Sequence, residues 1–135
     1  MKELNKAIYD KLSAGTALTA LLPGTASIYH LQAQDFAILP YVVYSVQAGG
    51  DENQTPSRMK NLVVYVRAYS AVSALAAGSI DTQIDALLHC GSITVSGWNN
   101  FWLHREIDVE NIDNLPSGKK VWMEGGFYRA RIEKS

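Results

Sequence analysis

Residues 58–89 read RMKNLVVYVRAYSAVSALAAGSIDTQIDALLH, and within them the period of the apolar residues changes. From Arg58 to Tyr69, Leu62, Val64, Val66 and Ala68 alternate with Asn61, Val63, Tyr65 and Arg67, the period of two that marks a strand. From Val72 onward Val72, Leu75, Ala76, Ile80, Ile84, Leu87 and Leu88 recur at steps of three and four, the stripe of a helix laid along a sheet. A strand that runs into a helix of about residues 71 to 89 points to an α+β chain. Gly78 within that helix costs on the order of 1 kcal/mol relative to alanine, less than the apolar stripe supplies.

Upstream, Leu4, Ile8 and Leu12 share one helical stripe, with Lys2, Lys6 and Lys11 left for solvent, so a first helix is expected over residues 2 to 14. Gly15 stops it, and Thr16 caps a short turn, Ala17 to Leu22, that Pro23 and Gly24 end. Ser27 to Leu31 reads as a short strand. Tyr41 to Ala48, opened by Pro40, reads as a stronger one. It is apolar on both faces at Val42, Val43, Tyr44 and Val46, which implies a sheet covered on both sides or one face buried between subunits. Gly49 to Ser57, GGDENQTPS, is expected to be a long exposed connection to the Arg58 to Tyr69 strand, mobile unless a partner orders it.

Downstream, Ile93 to Trp98 reads as a strand that turns near Asn99 and Asn100 into another, where Phe101, Leu103, Ile107 and Val109 alternate with His104, Glu106, Asp108 and Glu110. A second polar connection, Asn111 to Lys119, leads to a last strand, Val121 to Ile132, in which Gly125 and Gly126 suit a bulge. The expectation is one α+β domain over residues 1–135: a mainly antiparallel sheet packed against a long helix, with an N-terminal helix.

Composition excludes several function classes. With 47% apolar and 19% charged residues the chain is of the folding kind, and twelve basic against thirteen acidic residues leave no field to hold a polyanion or an anionic membrane. Cys90 is the single cysteine, which fits a reducing compartment, and no signal peptide or membrane-spanning run is visible. Glycine-rich phosphate loops are absent, since Gly49, Gly50 and Gly125, Gly126 are isolated pairs. His30, His89 and His104 are too scattered for a metal cluster, so no cofactor is expected. His89 and Cys90 are neighbours that a helix would point about a hundred degrees apart, and Cys90 is expected to be an at least half-buried structural thiol.

Three groupings retain some chemical interest. His104, Glu106 and Asp108 share one strand face by alternation, the arrangement most like a proton-transfer site, against which stands a solvated or subunit-facing surface. Trp98, Trp102, Trp122 and Tyr128 could stack a ligand or simply pack. Arg58, Lys60 and Arg67 form a thin basic stripe suited to solubility or intersubunit pairing.

The element order and the strand opening Leu39-Pro40-Tyr41-Val42-Val43 resemble bacteriophage tail terminators, also called tail-completion or tail-to-head joining proteins, over nearly the whole chain. The resemblance implies a virion structural protein with no active site, assembled in the host cytoplasm. It implies a homo-oligomeric ring, usually a hexamer, on the head-proximal end of the tail tube. There it would stop tube polymerisation and meet a head-completion or connector protein, and DNA would pass through without specific binding. By position, Asp51, Glu52, Asn53, Gln54 and Arg58 would face a partner or the lumen, and Asp113, Asn114, Lys119 and Lys120 would form a second interface loop. Two other assignments stay open: another neck or tail-tube subunit, and a small enzyme or ligand-binding module on the His104, Glu106 and Asp108 face.

Overall fold

The computed structural model describes residues 1–24, 27–35, 37–52 and 58–135. In chain order these form α1 (Lys2–Ser13), α2 (Thr16–Thr19), β1 (Ile28–His30), β2 (Tyr41–Glu52), β3 (Met59–Ser70), α3 (Ala74–Leu88), β4 (Trp98–Asn114) and β5 (Lys120–Lys134). One five-stranded sheet runs β1-β2-β3-β5-β4; β1 lies parallel to β2, and every other pairing is antiparallel. The α+β class and the mainly antiparallel sheet with its N-terminal helix are thus as expected.

The helices cover one face of the sheet. Leu4, Ile8 and Leu12 of α1, Leu18 of α2, and Ile80, Ile84 and Leu88 of α3 form one core with Val42, Leu62, Val64, Val66, Tyr128, Ala130 and Ile132 of the strands. Burying each large apolar side chain contributes about 1.5–3 kcal/mol, so this layer fixes which face of every strand points inward. From Leu62 to Ser70 of β3 the buried set is the even-numbered one, as the alternation predicts. The opposite face of the central strands has no helix over it among the described residues. No helix in them is long and apolar enough to cross a membrane.

Several boundaries differ from expectation. The helix α3 has 15 residues and is not long; it starts at Ser73, whose hydroxyl accepts from the Ala76 N–H at 3.1 Å. Val72 and Leu75 are therefore off its buried stripe, 79% and 82% exposed, and the stripe is Ala77, Ile80, Ile84 and Leu88. Of the strand expected over Ile93 to Trp98 only Trp98 is in a strand, as the first residue of β4. Ile93 and Val95 alternate because both plug the core from an irregular crossing segment, and a single strand, β4, replaces the two expected there. Asn99 and Asn100 lie inside it.

Both polar connections are shorter than the sequence suggests. Gly49, Gly50, Asp51 and Glu52 continue β2, paired with Leu62, Asn61, Lys60 and Met59. Gly49 has φ of +109°, and a Cβ there would overlap the Asn61 carbonyl, so glycine beside the Val46/Ala48 bulge permits the ladder to continue. Residues 53–57 of that connection, with Asn53 and Gln54, lie outside the described residues. Asn111 to Asn114 likewise continue β4, and the turn is closed by the Leu115 N–H on the Lys119 carbonyl at 2.8 Å. Gly125 and Gly126 carry no bulge in β5; the register shifts lie opposite, in β4, at Asn100/Trp102 and Arg105/Ile107.

Candidate functional site

The Arg105/Ile107 bulge separates the three residues that alternation put on one face. His104 pairs with Arg129 and Arg105 with Tyr128, whereas beyond the extra residue Ile107 pairs with Phe127 and Asp108 with Gly126. His104 and Glu106 stay on the helix-free face, and Asp108 passes to the helix side, where its Oδ1 accepts from Arg105 Nε at 2.6 Å. The His104, Glu106, Asp108 constellation therefore does not form. Glu106 instead accepts from Arg129 Nε at 2.7 Å, and that hydrogen bond holds its carboxyl below the usual carboxylate range against a small effect of burial. A carboxylate held so firmly as an anion is a weak base.

Arg105, two residues after buried Leu103 and paired with Tyr128, faces the helix side under α3 just before the bulge. Its Nη1 and Nη2 donate to the two Asp81 carboxylate oxygens at 2.9 and 2.8 Å, Nη1 also to the Tyr128 hydroxyl at 3.1 Å, and Nη2 to the Gly125 carbonyl at 2.8 Å. With Nε on Asp108, every N–H of the guanidinium is used. Burial disfavours the cation, but Asp81 and Tyr128 more than offset this and hold Arg105 above its ordinary pKa. Burial raises the Tyr128 hydroxyl, which donates to Asp85 at 3.1 Å. The bulge's own backbone is tied to the helix end, since the Arg105 N–H donates to His89 Nδ1 at 3.0 Å.

Two glycines make room for this arrangement. A Cβ on Gly126 would stand 2.7 Å from the Arg105 guanidinium, and one on Gly78 would stand 2.7 Å from a Glu124 carboxylate oxygen. Burial, then the charges of Glu110 and Asp81, push Glu124 up, with Arg105 acting in the opposite direction.

On the helix-free face a polar belt crosses four strands. Glu52 of β2 accepts from Asn61 of β3 at 3.1 Å and from Arg131 of β5 at 2.7 Å; Asn61 accepts from Arg129 at 2.8 Å, and Arg129 continues to Glu106 of β4. Asp51 pairs with Arg58 at 3.1 Å and Lys60 at 2.8 Å. Hydrogen bonds from Arg131 lower the Glu52 carboxyl, and those from Lys60 and Arg58 lower Asp51. Asp51, Glu52 and Arg58 thus form a tied hairpin end. Asp113, Asn114, Lys119 and Lys120 are exposed at the other hairpin end, with Asp113 paired to Val121 and Asn114 to Lys120. The register puts Glu52/Met59 beside Glu133 and Ser70 beside Trp122 and Ile112, so the two hairpins point to opposite ends of the sheet, roughly 40 Å apart at strand rise.

The other groupings also separate. Tyr128 is fully buried and Trp98 packs against the core, while Trp102 stacks on His104 at 4.1 Å on the helix-free face, so no aromatic platform assembles. Cys90 is exposed, contrary to expectation, because α3 ends at Leu88 and the left-handed φ of 55° at Cys90 turns the chain outward. Among the described residues no group of three or more His, Cys, Asp or Glu could hold a metal ion. Arg105 is the residue that periodicity missed. The visible signal was a glycine pair in a strand, which marks close approach by another group.

No family model matches the chain, and no curated protein does. The fold is similar to that of a chain in a solved structure of the virion of native gene transfer agent (GTA) particle, with a TM-score of 0.77 at 16% identity over 96% of this chain and 94% of that one.

Arg105→Ala is expected to lose about 3 kcal/mol of unfolding free energy, because Asp81, 13% exposed like its partner, is left without its cation. Asp108→Ala, removing an 82% exposed carboxylate, is expected to lose about 0.5 kcal/mol. Urea denaturation measures both. For Glu124, whose folded pKa is raised, stability is complete below the ordinary carboxylate range and is lost as pH rises through the folded value. Glu124→Gln should therefore raise the melting temperature at neutral pH, with a gain that vanishes in acid.

Proposed function

We propose that this chain is a virion structural protein, a single tail-terminator domain without enzymatic activity, that closes the head-proximal end of a tail tube. The observation that carries the proposal is the likeness of fold, over nearly the full length of both chains, to a chain in the virion of a gene transfer agent particle. The Leu39-Pro40-Tyr41-Val42-Val43 strand opening adds the resemblance to tail terminators.

A tube built from repeating rings ends in a surface able to accept another ring. Length control then requires a subunit that binds this surface and offers a different one. The sheet has unlike ends of that kind. At the β2–β3 end lie Asp51, Arg58, Lys60, Glu52 and Arg131 in ion pairs. Exposed Leu21, Ile38, Val72, Leu75, Ile112 and Leu115 lie toward the other, where Asp113, Asn114, Lys119 and Lys120 form the hairpin tip. In this proposal six copies form a ring, one end seats on the tube protein and the other meets the head connector. DNA passes a wall that carries no strong positive charge.

Interrupting the gene tests the assignment. Electron microscopy should then find heads and tails unjoined, with tails lacking a finished upper end and growing past normal length. Joined, infectious particles would overturn the proposal, and the absence of any assembled tube would assign the chain to the tube instead.

A further inference from the structure

Five arginines stand in the chain, and four of them are in ion pairs: Arg58 with Asp51, Arg105 with Asp81, Arg129 with Glu106 and Arg131 with Glu52. Arg67 alone has no carboxylate partner among the described residues. Its environment is nevertheless built. The Tyr65 ring stacks on Phe127 at 4.4 Å, and the Arg67 guanidinium lies over Tyr65 at 4.5 Å from the ring centre. Nη2 reaches the Ser45 hydroxyl only at 3.5 Å, a hydroxyl that Gln47 already engages at 3.0 Å, and the buried Nε–H finds no acceptor within the chain. Where Arg105 satisfies five donors, Arg67 satisfies one weakly.

Beside Arg67 the helix-free face opens into a recess of about 310 Å³, lined also by Gln32, Gln34, Tyr41, Tyr69 and Asp113. A guanidinium stacked flat on an aromatic ring keeps its edge for two parallel hydrogen bonds to a planar anion. Asp113 in the same recess adds a negative charge that weighs more against a chain of phosphates than against a single carboxylate, and Gln32 and Gln34 bring neutral amides to the lining.

We propose that Arg67 and this recess receive a single aspartate or glutamate side chain presented by another protein chain. The inference does not depend on the role at the tail tube.

Isotope-labelled protein titrated with the capped tripeptide Ala-Glu-Ala tests it, by following the arginine side-chain resonances. The Arg67 signals should shift saturably, the other arginines should not, and Ala-Gln-Ala should move nothing. Arg67→Lys, which keeps the charge and loses the fork, should weaken binding about tenfold. An unmoved Arg67 in the native protein would overturn the proposal. So would equal binding by the lysine variant, or an equal response to oligodeoxythymidylate, which would make the recess a phosphate site.

Discussion

The guanidinium of Arg105 joins parts of this molecule that apolar packing alone leaves separable. It binds the sheet to α3 through both oxygens of Asp81, to β5 through Tyr128 and Gly125, and to its own strand through Asp108. Three features place it: the strand alternation that puts it on the same face as Leu103, Gly126 that clears its path, and the His89 ring that accepts its backbone N–H beside the bulge. Apolar burial is non-directional and fixes only which strand face points inward. The fork of Arg105 adds direction, fixing the edge strand β4 to the helix that crosses the sheet, so that the β4–β5 hairpin projects at one set angle.

This constraint has a consequence for assembly. The hairpins β2–β3 and β4–β5 carry charge at opposite ends of the sheet, and they share β3 paired to β5 over twelve residue pairs, so neither end moves without the other. A subunit that ends one surface and offers another needs its two ends held in such a fixed relation. The helix-free face between them is closed by ion pairs and stacked rings, with Arg67 as its arginine without a carboxylate partner among the described residues.

The apolar period of the chain made the class and most elements legible, because burial on one face leaves a mark at every second or every third and fourth residue. Leu62 to Ala68 and Ile80 to Leu88 are of this kind. Where something other than burial governs the residue, the signal misleads. Gly49 and Gly50 read as loop because glycine also serves a bulge in a strand, and Ile93 and Val95 read as strand because an irregular segment can plug a core with the same spacing. The His104, Glu106, Asp108 trio failed for one inserted residue, since a bulge exchanges the faces of everything beyond it. Arg105 was illegible because its partners Asp81, Asp85 and Tyr128 come from 20 or more positions away, a separation no local period can report.

The proposed role is tested most directly by locating the chain in the intact particle. Cryo-electron microscopy at a resolution that traces strands should find this fold as one ring between the upper end of the tail tube and the head connector, its two hairpins on opposite faces of the ring. The same fold repeated along the whole tube, or its absence from the virion, would contradict the role as terminator.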